Sequence, residues 1–272
     1  MNRFSKEKEL EICNLYLDGK DTVIIGKLFN TYNTSIRRVL LRYNIKLRTT
    51  SEVTTNVKTN PFLNLENDEV QYWLGILMTD GNLSKERYRI ALSLKDIEHL
   101  EKYVKFLKSD FVKVKNYNNN RYKIKEYYVN FQSKEIHNYL NNIIGITPKK
   151  SFTLDPNINI TWSMLRGIID GDGYYRVKDD KLLGIEIFSA SNLFINKISK
   201  FLDTKNIRHS VKMSKPNLYR IGIYYNEGKL ECIYNMYNTS QVHLDRKFEK
   251  IGPSLEKSKD LRNPNSGKEM VI

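Results

Sequence analysis

Two nine-residue stretches have the residue types and spacing to do chemistry together. WLGILMTDG (73–81) and LRGIIDGDG (165–173) are both largely apolar, both carry Gly in the third place, and both close on Asp-Gly. Read as helices, they put Asp80 and Asp172 at their C-termini. The helix dipole leaves roughly −0.5 of a charge there, so a carboxylate sits on the unfavourable end. Two such helices packed together would bring two carboxylates and two negative helix ends to one place. That is hard to justify for stability and easy to justify for divalent cations. Oxygen donors without a His/Cys cluster point to Mg²⁺ over Zn²⁺, with Mn²⁺ as its expected substitute. A single copy would read as an ordinary Asp-Gly turn; two copies in one basic chain favour the metal. Gly75 and Gly167 let two backbones approach closely, at about 1 kcal/mol each in helix propensity. Gly81 and Gly173 read as left-handed helix stops.

The elements that position these acids repeat. The first unit reads as the motif helix, strand YRIALSL, helix DIEHLEKYVKFLK, strands FVKVKNY and YKIKEYYVNF, and helix SKEIHNYLNNII. The second reads as the motif helix, GIEIFSAS, NLFINKISKFLD, RHSVKMS, LYRIGIYY and GKLECIYNMY. The motif acids are 92 residues apart. Each unit closes on a basic phrase, TPKKSFTL or LDRKFEKI. Two units of this size make a pseudo-dimer, not a solenoid. The expected fold is α+β, with two pseudo-symmetric αββαββα units at 66–155 and 156–255.

Residues 1–48 read as a separate all-α domain. Ser5 can cap a first helix through Glu9, Ile12, Leu15, Tyr16 and Leu17. Asp21 can cap a second, with Ile24, Ile25 and Leu28 on one face. Asn33 or Thr34 can cap a third, with Ile36, Val39, Leu40 and Tyr43 inward and Arg37, Arg38 and Arg42 outward. Two short helices across a tight turn resemble a helix-turn-helix, whose second helix enters the major groove; a plain three-helix bundle fits the spacing equally. Local charge favours the DNA reader, since residues 1–60 hold 11 Lys+Arg against 6 Asp+Glu. Residues 49–65, rich in Thr and Asn, read as a linker that could span roughly 50 Å, about fifteen base pairs. Residues 256–272 read as a flexible tail.

Composition narrows the partner. The 272 residues carry a net charge of +14 and 18 Tyr, which fits a polyanion, and nucleic acid better than a membrane surface. Cys13 and Cys232 stand alone, which excludes a disulfide framework or zinc spacing and makes a reducing compartment the default. No run approaches the roughly 18 apolar residues of a membrane span, and no signal or transit segment is expected. A cytoplasmic, nucleoid-associated protein of bacterial or phage origin is expected.

At the two nonapeptides the chain resembles the LAGLIDADG homing endonucleases in their single-chain, two-motif form. The resemblance covers roughly residues 66–252, including the order of elements between the motifs. LRGIIDGDG is close to the family pattern. WLGILMTDG departs at Met78 and Thr79, where the pattern has Asp-Ala; the acid before the final Gly is retained in both. The resemblance implies a saddle-shaped antiparallel sheet, with Asp80 and Asp172 holding metal at its floor and the carbonyls of Thr79 and Gly171 adding ligands. It implies hydrolysis of both DNA strands across the minor groove, leaving 3′ overhangs. It implies assisting lysines, here matching Lys150 and Lys247, with Lys149 and Arg246 as neighbours that could take the role.

The strands add a second signal. Lys123 and Lys125 share a face, as do Lys113 with Lys115 and Tyr117, and Arg87 with Arg89. The second unit supplies Arg176, Lys178, Arg208, Lys212 and Arg220. Basic residues on one face in successive hairpins suggest a DNA-facing sheet. Gly222-Ile223-Tyr224-Tyr225 resembles the opening of the GIY-YIG nucleases, but no partner tripeptide follows and the segment fits a strand. The expected protein is a monomeric, site-specific double-strand DNA endonuclease with a long non-palindromic target, as in intron homing by a mobile genetic element. Alternatives are a DNA-binding regulator of the same fold that does not cleave, and an intron maturase that binds structured RNA.

Overall fold

The computed structural model describes residues 4–18, 20–47, 57, 59–109, 112–119 and 124–262, without side chains at 117–119, 124–126, 261 and 262. It divides into two compact units, residues 1–55 and 56–272. In the first, α1 (Lys6–Leu17), α2 (Thr22–Leu28) and α3 (Asn33–Arg42) enclose Ile12, Ile25, Ile36, Val39 and Leu40. Ser5 accepts from the Lys8 amide and Asp21 from those of Val23 and Ile24, as the capping pattern predicts. The third cap differs: Tyr32 occupies that position and makes no side-chain bond. Ile24 and Leu28 point outward, because α2 has only seven residues and buries only Ile25 and Gly26; Leu17, the last residue of α1, is exposed as well.

The second unit repeats one set of elements. The first half runs α4 (Asp68–Thr79), β1 (Gly81–Ser84), β2 (Arg89–Leu94), α5 (Ile97–Phe106), β3 (Lys115–Asn119), β4 (Ile124–Gln132) and α6 (Lys134–Asn138). The second runs α7 (Trp162–Asp172), β5 (Gly173–Lys178), β6 (Lys181–Ser189), α8 (Asn192–Thr204), β7 (Ser210–Lys215), β8 (Leu218–Ile223) and α9 (Asn226–Tyr237). Each half forms a four-stranded antiparallel sheet, ordered β1-β2-β4-β3 and β5-β6-β8-β7. One face of each sheet packs on the core through Ile90, Leu92 and Val129, or Ile185, Ile187 and Ile221. The helices start on side-chain caps, Asn67 for α4 and Thr161 for α7. A π turn after α6 (Tyr139–Ile144) stops at Gly145, whose φ of 88° needs glycine. No described helix is long and apolar enough to cross a membrane.

Two boundaries differ from the sequence reading. The described part of the expected linker is packed: Val57 and Phe62 lie in the core, and Asn60 accepts from the Phe62 amide. The expected tail is partly helical, since α10 (Asp245–Arg262) runs through Pro253 and buries Ile251, Leu255 and Ser258. A loop-like composition hid both, because the apolar anchors are sparse. The remaining linker and tail positions lie outside the described residues.

Candidate active site and nucleic-acid interface

The two motif helices cross at their glycines. A Cβ on Gly75 would stand 2.3 Å from the Met164 carbonyl, and one on Gly167 would stand 2.2 Å from the Tyr72 carbonyl. These contacts are related by the 92-residue repeat, so the backbones meet on a local two-fold. Polar pairs seal the seam: Ser163 Oγ donates to Asp68 Oδ1 at 2.5 Å and Thr161 Oγ1 to Gln71 Oε1 at 2.8 Å. Gly81 and Gly173 are not left-handed stops. Only Gly145 has positive φ among the described glycines. They are small because each strand leaves against the last turn of its own helix: a Cβ would meet the Leu77 carbonyl at 2.5 Å or the Ile169 Cα at 2.5 Å.

The crossing brings Asp80 and Asp172 together. A Cβ on Gly171 would lie 2.0 Å from Thr79 Oγ1 and 2.7 Å from Asp80 Oδ2, so the Asp80 carboxylate rests against the opposite helix end. Burial first, then the charge of Asp172, pushes the Asp80 carboxyl up to about 6. Asp172 is more exposed and is also pushed up, by burial against the opposition of Lys150 and Lys247. Asp80 also lines a cleft of about 420 Å³ with Asp96, His99, Asp170 and Arg246.

Each helix end carries a lysine. Lys150, on a 3-10 turn (Lys150–Phe152), donates to the Thr79 carbonyl at 3.0 Å and to that of Gly81. Lys247, in the first turn of α10, donates to the carbonyls of Ile169, Asp170, Gly171 and Gly173 at 2.6, 2.8, 3.3 and 2.8 Å. The matched carbonyls, 79 with 171 and 81 with 173, show the same two-fold. Cations on terminal carbonyls oppose the helix dipole and the acids beside it. Burial pulls Lys247 down to about 8 and lowers Lys150 as well. The two neighbours are placed differently. Lys149 is exposed, and Arg246 Nε turns to Asp96 at 2.9 and 3.0 Å. The carbonyls of Thr79 and Gly171 accept from ammonium groups, so the fit to a cation rests on the two carboxylates. Among the described residues no group of three or more acidic, His or Cys side chains is placed to hold a metal.

The open sheet faces carry part of the expected basic set. Arg176 pairs with Gly184, and Lys212 with Arg220, on the face opposite Ile185 and Ile221; Lys178 is exposed at the end of β5. Arg208 precedes β7 and stacks on the Tyr225 ring at 3.9 Å. Tyr224 lies across Gly184 and Gly222 and donates to Glu186 Oε1 at 2.6 Å; Arg220 donates to the same oxygen at 3.4 Å. In the first half, Arg89 opens β2, opposite Gln132, while Arg87 sits in the β1–β2 turn at φ 62°. Lys115 lies over the Tyr128 ring at 5.9 Å, whereas Lys113 precedes the strand. Register gives position 125 the parity of Val129 and Phe131, opposite to that of Lys115. The Lys125 and Tyr117 side chains and all of Lys123 lie outside the described residues. In the first unit Arg37 and Arg38 are exposed, but Arg42 donates to the buried Glu9 and ties α3 to α1.

No family model matches the chain. It is 28% identical over 204 residues to an uncharacterized protein of Methanocaldococcus jannaschii, covering 69% of this chain and 73% of that one. Its structure matches the homing endonuclease I-WcaI bound to its DNA recognition sequence at a TM-score of 0.50 and 16% identity, over 77% of this chain and 96% of that one. The fold is the LAGLIDADG fold. Full-length WhiA from Thermatoga maritima aligns at a TM-score of 0.47 and 15% identity, over 80% of this chain and 73% of that one.

Within this fold, sequence reasoning missed the first acid of the second motif. Asp170 is 2% exposed; its Oδ2 accepts from the Tyr72 hydroxyl and the Leu244 amide, each at 2.8 Å. Burial lifts its carboxyl to about 6. It anchors the chain entering α10 and so helps to bring up Lys247. Arg166, 1% exposed, was missed too: it donates to the carbonyls of Val242 and Met236 and to Asp68 Oδ2. The available signal was their asymmetry, since the repeat places Leu74 and Met78 at the matching positions.

Proposed function

We propose that the chain is a site-specific double-strand DNA endonuclease that hydrolyses phosphodiesters with Mg²⁺ and leaves 3′ overhangs. The observation that carries this reading is the convergence of Asp80 and Asp172 at two helix C-termini, one flanked by the half-buried Lys150 ammonium and the other by the buried Lys247 ammonium. The acid pair fits a hard divalent cation, because burial raises both carboxyls, the charge of Asp172 raises Asp80 further, and a cation relieves both effects. Asp80 and Asp172 would hold the ion, Mg²⁺ or Mn²⁺ in its place; when bound it would supply a water of lowered pKa and charge stabilisation at the phosphate. Lys150 and Lys247 hold the helix ends rigid and add positive charge where the phosphate gains negative charge. The open sheet faces take the duplex, with Arg176, Lys178, Lys212, Arg220, Arg89 and Lys115 meeting bases or phosphates. The three-helix unit acts as a helix-turn-helix reader through Arg37 and Arg38, lengthening the target. Unequal halves imply a non-palindromic site read by a monomer, as in homing of a mobile element.

The test is incubation of long genomic duplex DNA with the protein and Mg²⁺, with Ca²⁺, and with Mg²⁺ plus the Asp80→Asn/Asp172→Asn variant, mapping new ends by sequencing. Discrete 3′-overhanging ends that need Mg²⁺ and vanish in the variant support the reading. Salt-sensitive binding to one sequence without ends replaces it with the regulator; tight binding to a folded intron RNA replaces it with the maturase.

A further inference from the structure

We infer that Asp96 and Lys102 are positioning residues for Lys247, and that they serve only the Asp172 end of the site. This rests on the endonuclease reading. Lys247 is carried by the first turn of α10, which belongs to the second half. Two ion pairs fasten that turn to the first half. Lys102 Nζ donates to Asp245 Oδ1 at 2.6 Å and to the His243 carbonyl at 3.2 Å. Arg246 Nε donates to both Asp96 oxygens. Three consecutive side chains, Asp245, Arg246 and Lys247, thus reach Lys102, Asp96 and the end of α7. The Asp96–Arg246 pair also walls the cleft that Asp80 lines.

The other lysine is fastened differently and farther from its own position: Ser191 Oγ donates to the Leu154 carbonyl at 2.7 Å, and Lys197 pairs with Asp155 at 3.1 Å. Among the described residues, Lys150 makes no ion pair, and its turn is closed locally by Thr153 and Leu154 amides on the Lys150 carbonyl. Gly81 pairs with Leu92 and Gly173 with Ile187, so the position matching Asp96 is Ser191, the cap of α8; it carries no charge, and the Asp96–Arg246 pair is not duplicated. These pairs are partly exposed, and as surface pairs they contribute little stability. Their effect is geometric: they fix the rotation of one helical turn, and a displacement near 1 Å at a reacting centre costs up to about a hundredfold in rate.

The experiment uses the full chain on supercoiled plasmid bearing the target selected from a random duplex library, with each strand end-labelled in parallel. Asp96→Asn removes the charge, and since Asp96 makes no side-chain cap bond to α5, the start of that helix loses nothing. It is expected to slow one strand roughly tenfold or more, so that nicked circles accumulate. The exchanged pair, Asp96→Arg with Arg246→Asp, is expected to restore even cleavage. Equal slowing of both strands, or no slowing, overturns the inference. If the wild-type protein cuts nothing, the endonuclease reading fails and a second readout decides the positioning. Side-chain ¹⁵N spectra should then show Lys247 ammonium protons protected in the wild type and exchanging faster in Asp96→Asn; unchanged exchange overturns it.

Discussion

Asp80→Asn should stabilise the metal-free protein at neutral pH while abolishing cleavage. The Asp80 carboxyl is held at about 6 against an ordinary 3.8, so its ionised form is disfavoured in the fold. At 1.36 kcal/mol per unit the penalty has a ceiling of about 3 kcal/mol, and partial exposure reduces it to about 1–2 kcal/mol. The sign follows from proton counts. Between 3.8 and 6 the native state holds the proton that the unfolded state has lost, so stability falls as pH rises through that window. Below the window both states are protonated and the penalty is absent; above it the penalty is complete. Guanidinium unfolding of wild type and Asp80→Asn at pH 3.5 and pH 7.5 reads this directly. The variant should match the wild type at pH 3.5 and exceed it by about 1–2 kcal/mol at pH 7.5. Millimolar Mg²⁺ should close the gap by stabilising only the wild type. A variant that is equal or weaker at pH 7.5 would show that the lysines already neutralise the acid, and would refute the case for a strained anionic pair.

Other perturbations follow from the same geometry. Gly75→Ala or Gly167→Ala pushes a methyl into a facing carbonyl and should cost about 3 kcal/mol in urea unfolding, with cleavage lost alongside. Lys247→Met removes an ammonium that four carbonyl oxygens share and should cost about 1–3 kcal/mol, more than Lys150→Met, which removes one shared by two; paired unfolding curves check the order. Arg37→Ala with Arg38→Ala should weaken DNA binding and lower the slope of log affinity against log salt by about 2, measured by fluorescence anisotropy on the selected target.

Much of the second unit was legible because its signals are local. Apolar motif helices, alternating strands and a 92-residue repeat each speak within one element or one offset. The crossing glycines were legible for the same reason, as paired small residues on apolar helices. What escaped depends on distant partners. The Leu244 amide meets Asp170 across 74 positions, and Arg42 meets Glu9 across 33. No periodicity announces such pairs. Gly81 and Gly173 were read for their conformational freedom, whereas the structure uses their size, and helix and strand signals alone do not separate these two uses. Val57 and Phe62 show a further limit: two apolar residues in a polar stretch suffice to pin a segment, yet they make no recognisable pattern.

The two halves share a backbone symmetry that their side chains break, and the break falls in one place. The glycine crossing demands symmetry, because each helix must be thin at the point where it meets the other. One turn away, Leu74 and Met78 on α4 are apolar and buried, whereas Arg166 and Asp170 on α7 are polar and buried. Buried charges are costly unless every donor and acceptor is engaged. Arg166 and Asp170 spend theirs on Asp68, Tyr72 and backbone groups from Met236 to Leu244, the stretch that leads into α10. The first half has no helix like α10 to receive and needs no such set. In a homodimer each of these substitutions would occur twice, placing a second arginine and a second aspartate at the seam. A single chain escapes that constraint and can fasten its two lysines by different means. Unequal fastening of two equivalent groups is therefore a property that this covalent linkage permits, and strand-resolved kinetics is the measurement in which it becomes visible.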